Sequence, residues 1–325
     1  MPRAPFALTI VAVLVAGVAL ALYGPGTGEP ALLIANKNGA SLYVVDPASG
    51  QVTDSVSTGA GPHEVAAAPK TRRAFVANYG DGTISAIDVD GPTETARWQL
   101  PATRRPHGIG VGPNEERVYV TAEDRQAVLE LDAASGTVRR TFETGRDVTH
   151  MLALAPNAPT LYATSIGSGT LSKVDLETGD VGPHVATGAG AEGLGVTPDG
   201  EEVWVTNRAD DTVSILHAAS TSERDTLSVD GFPIRVDVSP DGRHALVSAP
   251  RAGEVALYNA QSRRLMTRLE VGSKPIGVLA PTDDRAYVAN AGSGTVSIVD
   301  LNARAVTDTI PAGRGPDGMA YVPAL

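Results

Sequence analysis

The stretch PHGIGVGPNEERVYVT, residues 106–121, is written again and again along this chain with small changes. PHEVAAAPKTRRAFVA begins at Pro62, AEGLGVTPDGEEVWVT at Ala191, PIRVDVSPDGRHALVS at Pro233 and PIGVLAPTDDRAYVA at Pro275. With His107 as a phase marker, the matching residues are His63, His107, His150, Glu192, Ile234, Ile276 and Asp317, at steps that shrink from 44 to 41 residues. A period near 42 with four short strand-like segments per unit points to the blades of a β-propeller. No helical period of comparable length competes with it.

In the third unit the segments run HGIGVG, RVYVTA, AVLELD and TVRRTF. Turn formers such as NEE at 114–116 and PDG at 198–200 link the first segment to the second, as a tight hairpin requires. DPASG from Asp46, DAASG from Asp132 and DLETG from Asp175 link the third to the fourth, where Asp is expected to bond the backbone of its own turn. First segments are rich in small residues, including Gly108, Gly110, Gly193, Gly195 and Gly277, so they are expected at the crowded hub. Phe75, Tyr119, Tyr162, Trp204 and Tyr287 share one position in the second segment and are expected to pack between blades.

The first unit has only three segments, LLIANK, SLYVVD and QVTDSV, and the chain ends on a lone inner segment in PDGMAYVPAL. Head and tail together make a seventh blade, which closes the ring and removes its open edges. The fold class is therefore all-β, a seven-bladed propeller of four-stranded antiparallel blades, forming one domain over residues 31–325.

Residues 1–30 differ in kind. Arg3 precedes an uncharged, mostly apolar run over residues 6–23, followed by GPGTGEP. This reads as an export signal with an A-x-A site that favours cleavage after Ala21, the alternative being an uncleaved anchor. Export to the periplasm or cell surface is the expected localisation, with membrane contact only through an uncleaved leader. No cysteine is present, which excludes lipid attachment through a terminal Cys, disulfides and thiol catalysis.

A net charge of -11 and 4% aromatic residues supply neither a basic stripe nor stacking platforms, so nucleic acid is excluded as a general partner. Nothing signals oligomerisation, and a monomer is expected.

FVANYGDGTISAID at 75–88, WVTNRADDTVSILH at 204–217 and YVANAGSGTVSIVD at 287–300 resemble the YVTN family of propeller repeats, of the exported and surface-layer type within the cytochrome d1- and lactonase-like propellers. The likeness covers the chain beyond residue 31 and implies seven blades, while members differ in activity. Three units depart from the motif, with Ala122, Ser165 and Ala249 in place of its Asn. The Asn36, Asn78, Asn207 and Asn290 of the other units read as turn formers.

Strand alternation places the fourth-to-first and second-to-third connections on one face, so the phase markers ring one mouth of the channel. Candidate ligand-binding residues there are His63, His107, His150, Glu192, Arg235 and Asp317. Three imidazoles with a carboxylate can hold zinc or another divalent ion. They can also serve a metal-free site as acid, base or donor. A third reading makes P-H-G a tolerated spelling of the P-x-G start of an inner strand. Arg104, Arg105, Arg146, Lys274 and Arg314 lie in the same connections and would favour a small anion if they converge.

No nucleophile–base–acid set and no phosphate loop stands out, since GIGVG at 108–112 is an inner strand with no helix after it. The leading expectation is an exported, non-enzymatic binding or scaffold propeller, without a cofactor unless a divalent metal, that meets a small molecule or an envelope protein. The alternative is an enzyme: the PH pairs at 62–63 and 106–107 are similar to those of propeller lactonases and streptogramin lyases, which would put His, Glu and Arg of the mouth to catalytic use.

Overall fold

In a computed structural model, residues 28–101 and 103–325 are described. The export signal and cleavage site expected from the sequence fall within residues 1–27, outside the described residues. Twenty-eight strands and one short 3-10 helix, Glu123–Arg125, make up the described residues. The strands form seven four-stranded antiparallel sheets, six of them in chain order from hub to rim. Blades 2 to 7 begin at the inner strands Pro62–Ala68, Pro106–Val111, Thr149–Leu154, Ala191–Val196, Val236–Val238 and Pro275–Leu279. Blade 1 has the order Pro316–Val322, Ala31–Asn36, Ser41–Asp46, Gln51–Ser57, so the last strand of the chain is its innermost. Leu32 pairs with Tyr321 and Leu33 with Ala320, and the ring closes as expected.

Burial follows strand position. The second strand of each blade is enclosed on both faces; Ala31–Asn36 is buried throughout. Outer strands such as Thr93–Gln99 alternate towards solvent, in keeping with their Thr, Glu and Arg content. The equivalent aromatics fill the gaps between blades: Phe75 lies with Val118, Val120 and Leu129 of the next blade, and Tyr287 with Leu32 and Ile34.

At the hub, glycine is required by proximity. A Cβ on Gly193 would lie 2.2 Å from the Ile234 carbonyl oxygen, and one on Gly277 would lie 2.1 Å from that of Asp317. In blades 3 to 6 a hydroxyl from the second strand bridges the gap to the next blade. Thr206 Oγ1 accepts the Gly193 amide at 2.8 Å and donates to the Ile234 carbonyl at 2.9 Å. Thr121 makes the same pair with the Gly108 amide and the His150 carbonyl, and Ser248 with the Arg235 amide and the Ile276 carbonyl. Each bridge sews one blade to the next.

The Asp turns are as expected: Asp175 Oδ1 accepts the amides of Glu177 and Thr178 at 2.8 and 2.9 Å. The motif asparagines are not turn formers in the expected sense. Asn78, Asn207 and Asn290 are buried at the ends of second strands. Their Nδ2 groups donate to hydroxyls of the third strand: Thr83 and Ser85, Thr212 and Ser214, Thr295 and Ser297. Burial explains the change, because an enclosed amide needs internal partners and the T-x-S of the next strand supplies them to Nδ2 in these three blades; the buried Asn36, followed by Ser41-Leu42-Tyr43, has no side-chain partner.

Candidate functional site

The channel mouth is formed by the fourth-to-first and second-to-third connections, which touch through backbone bonds such as Tyr79 N to Gly61 O at 3.0 Å and Arg208 N to Gly190 O at 3.1 Å. Just beneath it, adjacent inner strands stack the imidazoles of His63, His107 and His150. Ring centroids are 3.9 Å apart for His63 and His107, and 3.6 Å for His107 and His150. Tyr79 places its ring edge-on to His63 and His107, at 5.8 Å from each.

The carboxylates interleave with this stack. His63 Nδ1 lies 3.3 Å from Asp317 Oδ2, and His150 Nδ1 lies 2.5 Å from Glu123 Oε1. Arg235 bridges two acids, with Nη2 2.6 Å from Glu64 Oε1 and Nη1 3.4 Å from Glu192 Oε1. Arg208 adds a second cation to Glu192 at 2.6 Å, and Lys37 Nζ lies 2.6 Å from His63 Nε2. His107 is 1% exposed and Arg235 7%.

Burial and pairing set the protonation states. Burial pushes the Glu64 carboxyl up, but Arg235 and His63 overcome it and hold the group at about 2. For Glu192 burial again opposes ionisation, and the His150 ring 3.6 Å away together with the Arg235 and Arg208 charges holds it at about 2. Against its own burial, Arg235 is kept protonated by Glu64, Glu192 and Asp317. Burial, reinforced by the charges of His150 and His63, carries His107 well below 6.5. The mouth is a desolvated network in which the acids face cations, while His63 Nδ1, His107 Nδ1, His150 Nε2 and Asp317 Oδ1 are buried without hydrogen-bond partners.

All six candidate residues, His63, His107, His150, Glu192, Arg235 and Asp317, thus meet in one place. The basic residues of the connections do not. Arg104, Arg105, Lys274 and Arg314 are exposed at the rim and Arg146 is half-buried; among the described residues none pairs with the buried carboxylates. Solvation outweighs convergence for guanidinium groups on outward-facing loops.

Lys37, Glu64, Tyr79, Glu123 and Arg208 join the network without having been singled out as binding residues. Two signals in the repeat mark them. Glu64 and Arg235 occupy the position that is Gly in four other units, where any side chain must project from the hub. Lys37, Tyr79, Glu123 and Arg208 each follow the last residue of a second strand, where the remaining units carry Ile166, Pro250 and Ala291. Reading that position around the ring would have found all four.

Two family models match part of the chain: a YNCE-like beta-propeller over residues 177–287, and one described as outer membrane protein assembly factor BamB over residues 38–193. Uncharacterised YncE proteins of Salmonella typhimurium and Salmonella typhi are each 21% identical over 288 residues, which is 87% of this chain and 72% of theirs. Among solved structures, Kuenenia stuttgartiensis hydrazine synthase aligns with a TM-score of 0.75 at 20% identity, covering 88% of this chain and 98% of that one. A functionally unknown protein from Desulfotomaculum acetoxidans aligns at 0.78 and 13% identity, covering 91% and 99%. These likenesses share the propeller fold that the structure of this chain shows, and over most of its length the chain is similar to the YncE proteins.

Proposed function

We propose that the chain is an exported, non-enzymatic binding propeller that receives a small polar ligand at the mouth ringed by His63, His107, His150, Glu192, Arg235 and Asp317. The observation that carries this reading is the contrast within the ring. Blades 6 and 7 put Ile234 and Ile276 at the marker position, so the propeller does not need a polar side chain there. Blades 2 to 4 nevertheless bury three stacked imidazoles against carboxylates, an arrangement that apolar packing of similar volume would match or exceed in stability. Converging buried polar groups, several of them without internal partners, suit recognition. Export is supported by the apolar leader and by the partial match to the BamB model, whose description places that factor's work in outer-membrane assembly.

Thermal melting of the mature protein with succinate, gluconate and γ-butyrolactone tests this. A melting shift in the parent that disappears in the His107→Ala, His150→Ala double variant is the expected result. No shift with any probe would remove the small-ligand reading and leave an envelope protein as the partner.

One observation favours a catalytic reading beside it. Glu123 holds His150 Nδ1 at 2.5 Å and is itself held by the Tyr79 hydroxyl at 2.9 Å, as an orienting carboxylate holds a general base. Lactone turnover lost in His150→Gln would move the protein to that class.

A further inference from the structure

We propose that the mouth ligand includes a divalent transition-metal ion, held by Nε2 of His63, Nε2 of His107 and a carboxylate oxygen of Glu64, with the Lys37 ammonium group as its built-in competitor. This rests on reading the mouth as a ligand site and names the ligand's chemical class.

The two nitrogens face each other at 3.2 Å. Imidazole nitrogens bound to one tetrahedral zinc, each at about 2.0–2.1 Å from it, stand roughly 3.3 Å apart. The pair is therefore spaced for chelation with almost no movement. One donor atom from each of His63, Glu64 and His107 lies within 4.8 Å of the others. Glu64 gives Oε1 to Arg235, which leaves Oε2 for an ion.

The second ring nitrogen of His63 strengthens the assignment. Its Nδ1 lies 3.3 Å from Asp317 Oδ2 and 3.8 Å from Glu64 Oε1. A metal-bound imidazole characteristically donates its other N–H to a carboxylate; Asp317 stands nearest to His63 Nδ1 for that role, and Nδ1 makes no hydrogen bond of its own here. Buried unpaired atoms nearby, including His107 Nδ1 and Asp317 Oδ1, mark a polar pocket whose own groups do not fully satisfy one another.

A cation already stands at the proposed ligand. Lys37 Nζ is 2.6 Å from His63 Nε2 and 3.9 Å from Asp317 Oδ2, yet its side chain is 42% exposed and can withdraw towards the rim. Metal and ammonium need the same lone pair, so they exclude each other. A second group of donors, His107, Glu123 and His150, overlaps the first at His107. Its carboxylate is already engaged by His150 and Tyr79, and its histidines show no facing pair of nitrogens, which is why the His63 side is assigned. Two imidazoles and one carboxylate favour Zn²⁺, Co²⁺ or Ni²⁺ over Mg²⁺ or Ca²⁺.

The test is calorimetric titration of the untagged, chelator-treated full-length protein with Zn²⁺, alongside the visible spectrum with Co²⁺. The expected result is one ion per chain, intense visible bands from Co²⁺, no binding of Mg²⁺, and loss of about tenfold or more in Zn²⁺ affinity in His63→Gln and in His107→Gln. Lys37→Met removes no ligand and is expected to tighten Zn²⁺ binding severalfold, with a melting temperature near that of the parent. Absence of Zn²⁺ binding, or equal affinity in the parent and both histidine variants, overturns the metal site. Unchanged affinity in Lys37→Met overturns the competition. If no metal binds while gluconate or succinate still shifts the melt, the metal inference fails and the small-ligand reading stands; if neither binds, both fail.

Discussion

Two regions lie within a few residues of each other in every blade and obey opposite rules. Around the hub, the bridging hydroxyl recurs as Thr121, Thr164, Thr206 and Ser248, each bonded to a carbonyl of the next blade's inner strand. At the mouth, the residue after the second strand is Lys37, Tyr79, Glu123, Ile166, Arg208, Pro250 or Ala291, with no two alike. The difference is one of constraint. In blades 3 to 6 the hydroxyl satisfies a buried amide and a buried carbonyl at the same place, while Ala35, Ala77 and Ala289 fill that position in blades 1, 2 and 7, so the hub admits only a hydroxyl or a methyl there. The mouth position faces the pocket, where the backbone asks for nothing and side chains are free to build a site. Repetition in this molecule marks what holds the ring together, and departure from it marks where chemistry gathers.

The most disruptive way to probe the comparison is to open the ring. Deleting residues 316–325 removes the inner strand of blade 1, its pairing with Ala31–Asn36 and the Asp317 side chain at once. Four or five backbone bonds at about 1 kcal/mol each, with the associated packing, approach a whole domain's stability of roughly 5–15 kcal/mol. The truncated protein should aggregate or lose a cooperative melt in scanning calorimetry; one that melts like the parent would break the closure argument.

Next in size is Arg235→Met, which leaves Glu64 and part of the Glu192 charge buried without a cation. A loss of about 3–5 kcal/mol in urea unfolding is expected. Adding Glu64→Leu should recover part of it, because the stranded carboxylate goes too. A single variant as stable as the parent would show that the network is solvated and not compensated internally.

Thr206→Val sharpens the contrast from the other side. It strands the Gly193 amide and the Ile234 carbonyl, at a cost of about 1–3 kcal/mol, while Zn²⁺ binding at the mouth should be unchanged. A bridge variant that kept full stability but lost the ion would reverse the two roles assigned above.

The smallest effect concerns Asp237, which stands where five of the other inner strands carry Gly or Ala and blade 7 carries Leu279. Its Oδ2 accepts the Ala280 amide at 2.8 Å, beside the blade whose inner strand is one residue short. Burial raises its carboxyl to about 6, against the pull of the Ala280 and Val238 amides. A folded value above the unfolded one means that the folded state binds the proton more tightly. Stability therefore falls as pH rises from about 4 to 6, and the full penalty is felt above that range. Asp237→Asn keeps an acceptor for Ala280 and removes the charge, so it should stabilise the protein at pH 8 and make little difference at pH 4. Equal effects at both pH values would show that the carboxylate is already solvated when folded.

The six mouth residues were legible because a repeat turns sequence position into spatial position: once the period is known, residues 43 apart are neighbours. The same logic located the aromatics between blades and the strand that closes the ring. It misplaced the asparagines, whose partners lie five and seven residues further on across a hairpin, because a motif read along one strand does not show which neighbour a buried amide must satisfy. It also promoted Arg104 and Arg314, which share the loops of the mouth but point to solvent.

The period of about 42 residues, the glycine-rich hub and the split blade are properties of the sequence alone, because strand alternation and crowding at an axis act locally and identically in each unit. Tertiary structure alone decided that Arg235 lies between Glu64 and Glu192 and that His63 and His107 turn their Nε2 atoms towards each other. Those contacts join residues up to 171 positions apart across a closed ring, and only its curvature and the exclusion of water determine which charges must pair.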